Sequence, residues 1–279
     1  MKLKYLGTAA AERVPALFCQ CAVCQHAWQV GGRDRRTQQQ ALLDDHLLLD
    51  FSGDSYLHML QYQLDLGQIT TLLITHWHAD HFYGEDLTLR MHGYAKGPLA
   101  PLTVYGNAYV EDFYARAFAL EDRSDPTRIQ YQVLHIHEPV VISHYRVYPL
   151  PAQHGHFEGD CFIYAIQDLH DGHTLLYAHD TGMLPEAEFA WLAAQGLRFD
   201  LLSLDCTGQG LPSAGPMHMS LTEDVAFVAA LAKHGLLAET PVIVTSHYSH
   251  NSGATYAQMQ VLADAVGYVT AYDGLEVTV

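Results

Sequence analysis

Four side chains able to bind a metal ion fall within six residues in the run Thr75-His76-Trp77-His78-Ala79-Asp80-His81. The run follows the apolar stretch Thr71-Leu72-Leu73-Ile74, so it turns out of a buried strand, and a tight turn fans consecutive side chains around a small volume. His76 and His78 can converge on one ion while Asp80 and His81 project toward a second. The bland alternative is a polar loop of solvated histidines, but plain packing gives no reason for H-x-H-x-D-H. Two divalent ions about 3.5–4 Å apart share a water, depress its pKa toward neutrality, and neutralise charge developing at a phosphorus or carbonyl centre.

A second cluster is sulfur-based. Cys19, Cys21 and Cys24 are spaced C-x-C-x-x-C, and five cysteines in 279 residues do not suggest a disulfide scaffold. The cluster is one ligand short of a tetrahedral zinc site, and thiolates select zinc. His250 is a candidate for the fourth position. It lies three residues beyond His247 in Ser246-His247-Tyr248-Ser249-His250, so the two imidazoles can point to opposite sides of one loop. Redox-active thiols are the other reading of C-x-x-C; the added Cys19 and the lack of a thioredoxin-like pattern speak against it.

The elements that must position these groups follow from apolar periodicity. Strands are predicted at 2–6, 46–51, 70–75, 101–105, 144–150, 161–167, 173–178, 201–205, 242–245 and 275–279, with helices between several of them, which makes an α/β chain. The clearest helix opens at Ser220, where Ser220 and Glu223 form a capping-box pair and Leu221, Val225, Val228 and Leu231 mark an apolar stripe. His76, His154, Asp180 and His247 each sit just beyond the end of a short apolar strand, so their loops can converge at one sheet edge. Residues 82–128 carry no assignable chemistry and are long enough to wall a pocket. No repeat, low-complexity block or Pro/Ser-rich linker interrupts the chain, so residues 1–279 read as a single domain with a Cys-rich zinc-binding loop at about 19–26.

Composition bounds the function. Apolar residues are 49% and charged residues 16%, which excludes a disordered acidic chain. Acidic side chains number 31 against 14 basic ones, for a net charge of −17, a field that repels phosphate backbones and disfavours nucleic acid and membrane surfaces unless a local cation reverses the potential. No stretch reaches the ~20 apolar residues of a spanning helix, and MKLKYLGTAA lacks an apolar signal core, so a cytoplasmic location is expected. Histidine, at 19, is the unusual count.

The H-x-H-x-D-H run resembles the signature of the metallo-β-lactamase-fold hydrolases. That resemblance implies a four-layer αββα sandwich and a site completed by a later His, a bridging Asp and a final His. The chain offers Leu150-Pro-Ala-Gln-His154, Tyr177-Ala-His-Asp180-Thr-Gly and Val244-Thr-Ser-His247 in that order. Carried over, His76, His78 and His154 hold one metal, Asp80, His81 and His247 hold the other, and Asp180 bridges them; zinc, manganese and iron all suit this set. With Leu6-Gly7-Thr8, C-x-C-x-x-C and H-x-x-H added, the chain from residue 6 to residue 250 resembles the phosphonate-degradation branch, phosphoribosyl 1,2-cyclic phosphate phosphodiesterase-like. The branch implies hydrolysis of a small or cyclic phosphodiester and a structural zinc on Cys19, Cys21, Cys24 and His250. It also implies catalytic roles for Asp80 and for His218 in Gly215-Pro-Met-His-Met-Ser220, and homodimers. One departure is Ala9-Ala10-Ala11-Glu12-Arg13, where the branch is richer in glycine at a loop bordering substrate.

Alternative readings keep the same fold. Metal-activated water also attacks thioesters and lactones, and a non-catalytic biosynthetic accessory protein could retain the cysteine site. An RNA 3′-end endonuclease needs a basic path, and Arg33, Arg35 and Arg36 are the only local concentration of positive charge, suited to a phosphate clamp or to a solvated loop. His135 and His137 are expected on a half-exposed strand, His156 and His179 as partners of the neighbouring ligands, and Cys161 and Cys206 as small buried apolar residues.

Overall fold

The computed structural model describes residues 1–279 as two seven-stranded sheets packed face to face. The first has the order β14-β1-β2-β3-β4-β5-β6, from β1 (Lys2–Gly7), β2 (Gln40–Leu43), β3 (Leu47–Leu49), β4 (Thr71–Leu73), β5 (Leu102–Gly106), β6 (Ile129–Val133) and β14 (Glu276–Thr278). The second has the order β13-β12-β11-β10-β9-β8-β7, from β7 (Val140–Ile142), β8 (Tyr145–Pro151), β9 (Phe162–Asp168), β10 (Thr174–Ala178), β11 (Phe199–Asp205), β12 (Leu237–Ser246) and β13 (Val269–Thr270). Strands covered on both faces need no polar alternation, which is why β3 reads Leu-Leu-Leu and β10 is buried along its whole length.

Leu3, Tyr5, Leu43 and Leu73 meet Tyr164, Tyr177, Leu201 and Val244 between the sheets. The outer face of the first sheet is covered by α2 (Ser55–Tyr62) and α3 (Ala108–Leu120), that of the second by α4 (Glu186–Ala194) and α5 (Leu221–Lys233). The result is the four-layer αββα sandwich. Of two more helices, α6 (Tyr256–Asp264) lies beside β13, and α1 (Ala22–Val30) begins within the stretch expected as a cysteine loop at about 19–26, so Cys21 is its N-cap and Cys24 lies in its first turn. No helix is long and apolar enough to cross a membrane.

Several local expectations change. The strands β2, β6, β7 and β13 escape the apolar pattern. In β2 the cause is Gln38-Gln39-Gln40, which read as loop but are buried, with Gln39 Nε2 donating to Tyr177 Oη and Gln40 Nε2 to the Asp50 carbonyl. The capping box at Ser220 and Glu223 forms as expected. The buried face of α5 is Leu221, Asp224, Phe227 and Leu231, and Val225 points outward, because i, i+3, i+6 and i+10 centre the contact on Phe227. Residues 82–128 supply β5 to the first sheet and cover its outside with the flanking segments, where Phe113 stacks on Trp77 at 5.1 Å and 20°, backing the H-x-H turn from behind. His135 and His137 lie in a turn beyond β6, with His137 Nε2 2.7 Å from Glu188 Oε2, so the half-exposed strand is not formed there.

Candidate metal centre

Strand direction decides where the ligand-type residues go. The strands β10, β11 and β12 are parallel, and β8 runs the same way because both β8 and β10 pair antiparallel with β9. Their C-terminal ends therefore share one edge, which delivers His154 after β8, Asp180 after β10, Asp205 at the end of β11 and His247 after β12. The turn after β4 joins them from the opposite sheet. Phe162 N–H donates to the Thr75 carbonyl at 2.9 Å, and His76 bridges to Cys161, tying the two sheets at this edge.

All seven expected side chains meet there in two groups of four. His76 Nε2 lies 3.0 Å from His78 Nδ1, which is 3.2 Å from His154 Nε2, and His76 Nε2 is 3.2 Å from Asp180 Oδ2. In the other group His81 Nε2 lies 3.0 Å from the same Asp180 Oδ2, 3.4 Å from Asp80 Oδ2 and 3.3 Å from His247 Nε2. Within each group one ligand atom per residue lies within 4.8 Å of the others.

The outer atoms show which lone pairs face inward. Thr75 Oγ donates to Asp50 Oδ1 and so accepts from His76 Nδ1 at 3.0 Å, while His81 Nδ1 donates to Asp50 Oδ2 at 2.8 Å. Thr207 Oγ donates to the His247 carbonyl and accepts from His247 Nδ1 at 2.8 Å, and His154 Nδ1 donates to the Met217 carbonyl at 3.2 Å. Four imidazoles thus have their outer N–H engaged and turn bare nitrogens toward one another, with Asp180 Oδ1 buried among them without a hydrogen-bond partner. Lone pairs at these separations repel unless protons or cations lie between them, so the donor set fits a pair of metal ions.

Electrostatics reinforce the point. Burial and neighbouring His81 push His76 down to about 3. For Asp180 burial opposes the charge, but His247, His81 and His154 outweigh it and hold the carboxyl well below its ordinary range. Burial also opposes a charged His81, and Asp50, Asp80 and Asp180 together raise it well above the usual value. Asp50, Asp180 and His247 adopt φ of 65°, 50° and 61°, left-handed backbone that non-glycine residues take at a cost on the order of 1 kcal/mol and that clusters at functional sites.

A cavity of about 280 Å³ opens over the two groups, and only two of its twelve lining residues are apolar. Ala10, Ala11 and Glu12 form one side, so the loop that departs from the glycine-rich pattern does border the site. His218 stands at the rim with Nδ1 2.9 Å from Asp205 Oδ2. Burial disfavours its charge, yet Asp205 raises it to about 9. Sequence reading passed over Asp205, Asp50 and Thr207; the available signal was an Asp at the end of a predicted strand, the setting shared by Asp180.

Arg33, Arg35 and Arg36 do not line this cavity. Arg33 packs 3.9 Å over Tyr272, Arg35 donates to the carbonyls of Ala27 and Trp28, and the buried Arg36 donates to Thr8 Oγ and the Ala271 carbonyl. Their charge is used within the fold. His179 is buried with Nε2 2.7 Å from Ser203 Oγ, whereas His156 is exposed.

The cysteines gather around His250, whose Nδ1 lies 3.5 Å from both Cys19 Sγ and Cys21 Sγ, with Cys24 Sγ in the same group. All five cysteines are free thiols. Burial works against the Cys21 thiolate, but the Cys24 backbone N–H and His250 bring it down to about 6. Tyr248 N–H donates to the Thr8 carbonyl, so the loop turns His247 toward one group and His250 toward the other.

Comparison with known proteins places these features in a wider set. The family described as Beta-lactamase superfamily domain matches residues 48–244. Ribonuclease Z of Lactobacillus acidophilus is 27% identical over 118 residues, 40% of this chain; the aligned part is 32% of that protein, about a third of its length. Among solved structures, a diphosphatase of the PhnP family is 24% identical with a TM-score of 0.74, covering 99% of this chain and 96% of its own. The zinc-bound PqqB of Methylobacterium extorquens is 20% identical with a TM-score of 0.76 over the whole of both chains. The short form of human tRNase Z is 16% identical with a TM-score of 0.65, covering 100% and 99%.

Proposed function

The chain belongs to the β-lactamase superfamily, as a metal-dependent hydrolase, and we propose that it is a dinuclear phosphodiesterase acting on a small or cyclic phosphodiester. The observation that carries this reading is Asp180 Oδ2, 3.2 Å from His76 and 3.0 Å from His81, shared by two groups in which four of the five imidazoles have their outer nitrogen engaged. On this reading His76, His78 and His154 would hold one ion, Asp80, His81 and His247 the other, Asp180 would serve both, and Cys19, Cys21, Cys24 and His250 would hold a structural zinc. Residues 1–279 then form one domain with the cysteine loop built into it. When bound, the paired ions supply charge neutralisation and an acidified water.

The chain's own residues do the rest. Asp50, Thr75 and Thr207 fix the imidazole orientations, and Asp80 adds negative charge that balances the second ion. His218, held by Asp205 through Nδ1, keeps Nε2 free to deliver a proton to the departing oxygen of the substrate. The small, polar cavity favours a compact phosphodiester over an acyl thioester, since it offers no apolar trough for an acyl chain. No Lys or Arg lines it, which argues against a long RNA path.

The test is elemental analysis of protein purified without added metal, paired with turnover of cyclic and bis-aryl phosphodiesters, an acyl thioester and a structured RNA on the same sample. Three metals per chain with phosphodiester turnover is the expected result. Thioester turnover alone would reverse the substrate reading, and one zinc without any turnover after manganese or zinc addition would leave an accessory role.

A further inference from the structure

The end of β8 opposite His154 carries another set of ligand-type side chains, roughly 23 Å away along the seven-residue strand. We propose that His144, Asp168 and His170 form a surface site for one divalent transition-metal ion, separate from both the metal centre and the cysteine cluster. His144 Nε2 stands 4.0 Å from Asp168 Oδ2, and His170 Nδ1 stands 3.8 Å from Asp168 Oδ1. One atom from each residue lies within 4.8 Å of the others. The two imidazole rings stack parallel within 9°, centroids 4.5 Å apart, beside the buried Asp168 carboxylate.

The β ladder organises the three positions. Tyr145 pairs with Asp168, and Leu169 N–H donates to the His144 carbonyl at 2.8 Å, so the turn before β8 and the turn after β9 are locked side by side. Ser143 Oγ lies 3.2 Å from His144 Nδ1 and occupies that nitrogen, which leaves Nε2 facing Asp168. His170 N–H donates to Asp168 Oδ1 at 2.8 Å, fixing the carboxylate plane. Neighbouring groups are engaged elsewhere: Asp171 with the N-terminal ammonium at 3.5 Å and His173 with Asp200 at 3.2 Å.

Ligands about 2.0–2.2 Å from an ion stand about 3–3.5 Å from one another, so the site closes by about 1 Å on metal binding. The His170 side chain, 75% exposed, can make that movement with little hindrance. Two imidazoles and one carboxylate suit zinc, nickel, copper or iron(II), with the remaining positions open to water, and a net charge of −17 favours a dication. The bound ion pins two turns together and raises thermal stability by mass action.

The experiment is calorimetric titration of the full chain, as purified and freed of loose metal, with Ni²⁺, together with thermal melts with and without Ni²⁺. One equivalent of Ni²⁺ in the parent, with a higher melting temperature, is expected. His170→Ala should weaken it by about tenfold or more, and His144→Ala with His170→Ala should abolish it, with unchanged melts in the absence of Ni²⁺. Asp180→Ala should retain this equivalent, which separates the site from the metal centre. Absence of the equivalent in the parent, or its survival in the double variant as adventitious binding elsewhere, overturns the proposal.

Discussion

The candidate metal centre and the cysteine cluster face opposite sides of one loop, yet they are assembled differently. The centre draws side chains from the ends of four strands between His76 and His247, all buried or nearly so, and exists only once both sheets have packed. The cysteine cluster takes three ligands from the six residues Cys19 to Cys24 and adds one imidazole, and Cys19 and Cys21 remain partly exposed. A site built by topology can lose a ligand and keep its fold, because the strands hold the rest in place. A site built by a short loop is itself what holds that loop. The two meet in Glu12, which lines the central cavity and accepts from Ser249 Oγ and Asn251 Nδ2 beside His250.

The largest effect should come from Asp180→Ala. Turnover is expected to fall by about a thousandfold or more, with two metals lost and the zinc of the cysteine cluster retained, read by elemental analysis and kcat. Full metal content in that variant would break the contrast between the sites.

His218→Ala comes next, with kcat lowered about 10²–10⁴-fold at unchanged metal content. The loss should shrink for aryl leaving groups that depart without a proton; equal losses on all leaving groups would remove His218 from that role. Asp205→Asn should cost about 10–100-fold by releasing the imidazole.

Cys21→Ser tests the loop-built site. One metal should disappear, and the melting temperature should drop by about 5 °C, roughly 2 kcal/mol for a chain of this size, while kcat changes only severalfold. A collapse of activity matching that of Asp180→Ala would mean that the two sites are one functional unit.

The smallest effect concerns Asp224, a buried carboxyl that belongs to neither site. Burial pushes its pKa well above the ordinary value, and both its oxygens lack a hydrogen-bond partner. The folded state therefore keeps a proton that the unfolded chain releases near pH 4, and stability falls as pH rises above that point toward the folded pKa. Asp224→Asn should stabilise the protein by about 1 kcal/mol at pH 8 and by less at pH 5, measured by denaturant melts. An equal gain at both values would contradict the neutral-carboxyl assignment.

Much of the site was legible because chemistry and punctuation coincide: the H-x-H-x-D-H run is local, and His154, Asp180 and His247 each follow a recognisable apolar strand. Asp205 and Asp50 were not legible, since a lone aspartate at a strand end has no local partner to mark it and gains its role only when His218 or His81 arrives from elsewhere. The same limit applied to Arg33, Arg35 and Arg36, whose charge is absorbed by Tyr272, backbone carbonyls and Thr8. The four-layer fold was readable from the strand pattern, whereas β2 was hidden by glutamines that satisfy buried partners.

The capping box at Ser220 has a consequence for adaptation. Glu223 accepts from Ser220 N–H, Ala214 N–H and Ser213 Oγ, so the segment carrying His218 is moored to the first turn of α5 as well as to Asp205 at the end of β11. Lengthening or shortening the stretch between Gly208 and Ser220 would move the His218 imidazole together with the Met217 carbonyl that accepts from His154 Nδ1. Reach toward the substrate and the seat of His154 are thus set by one loop, so chains of this architecture that change its length to take leaving groups of different size must also re-anchor that imidazole.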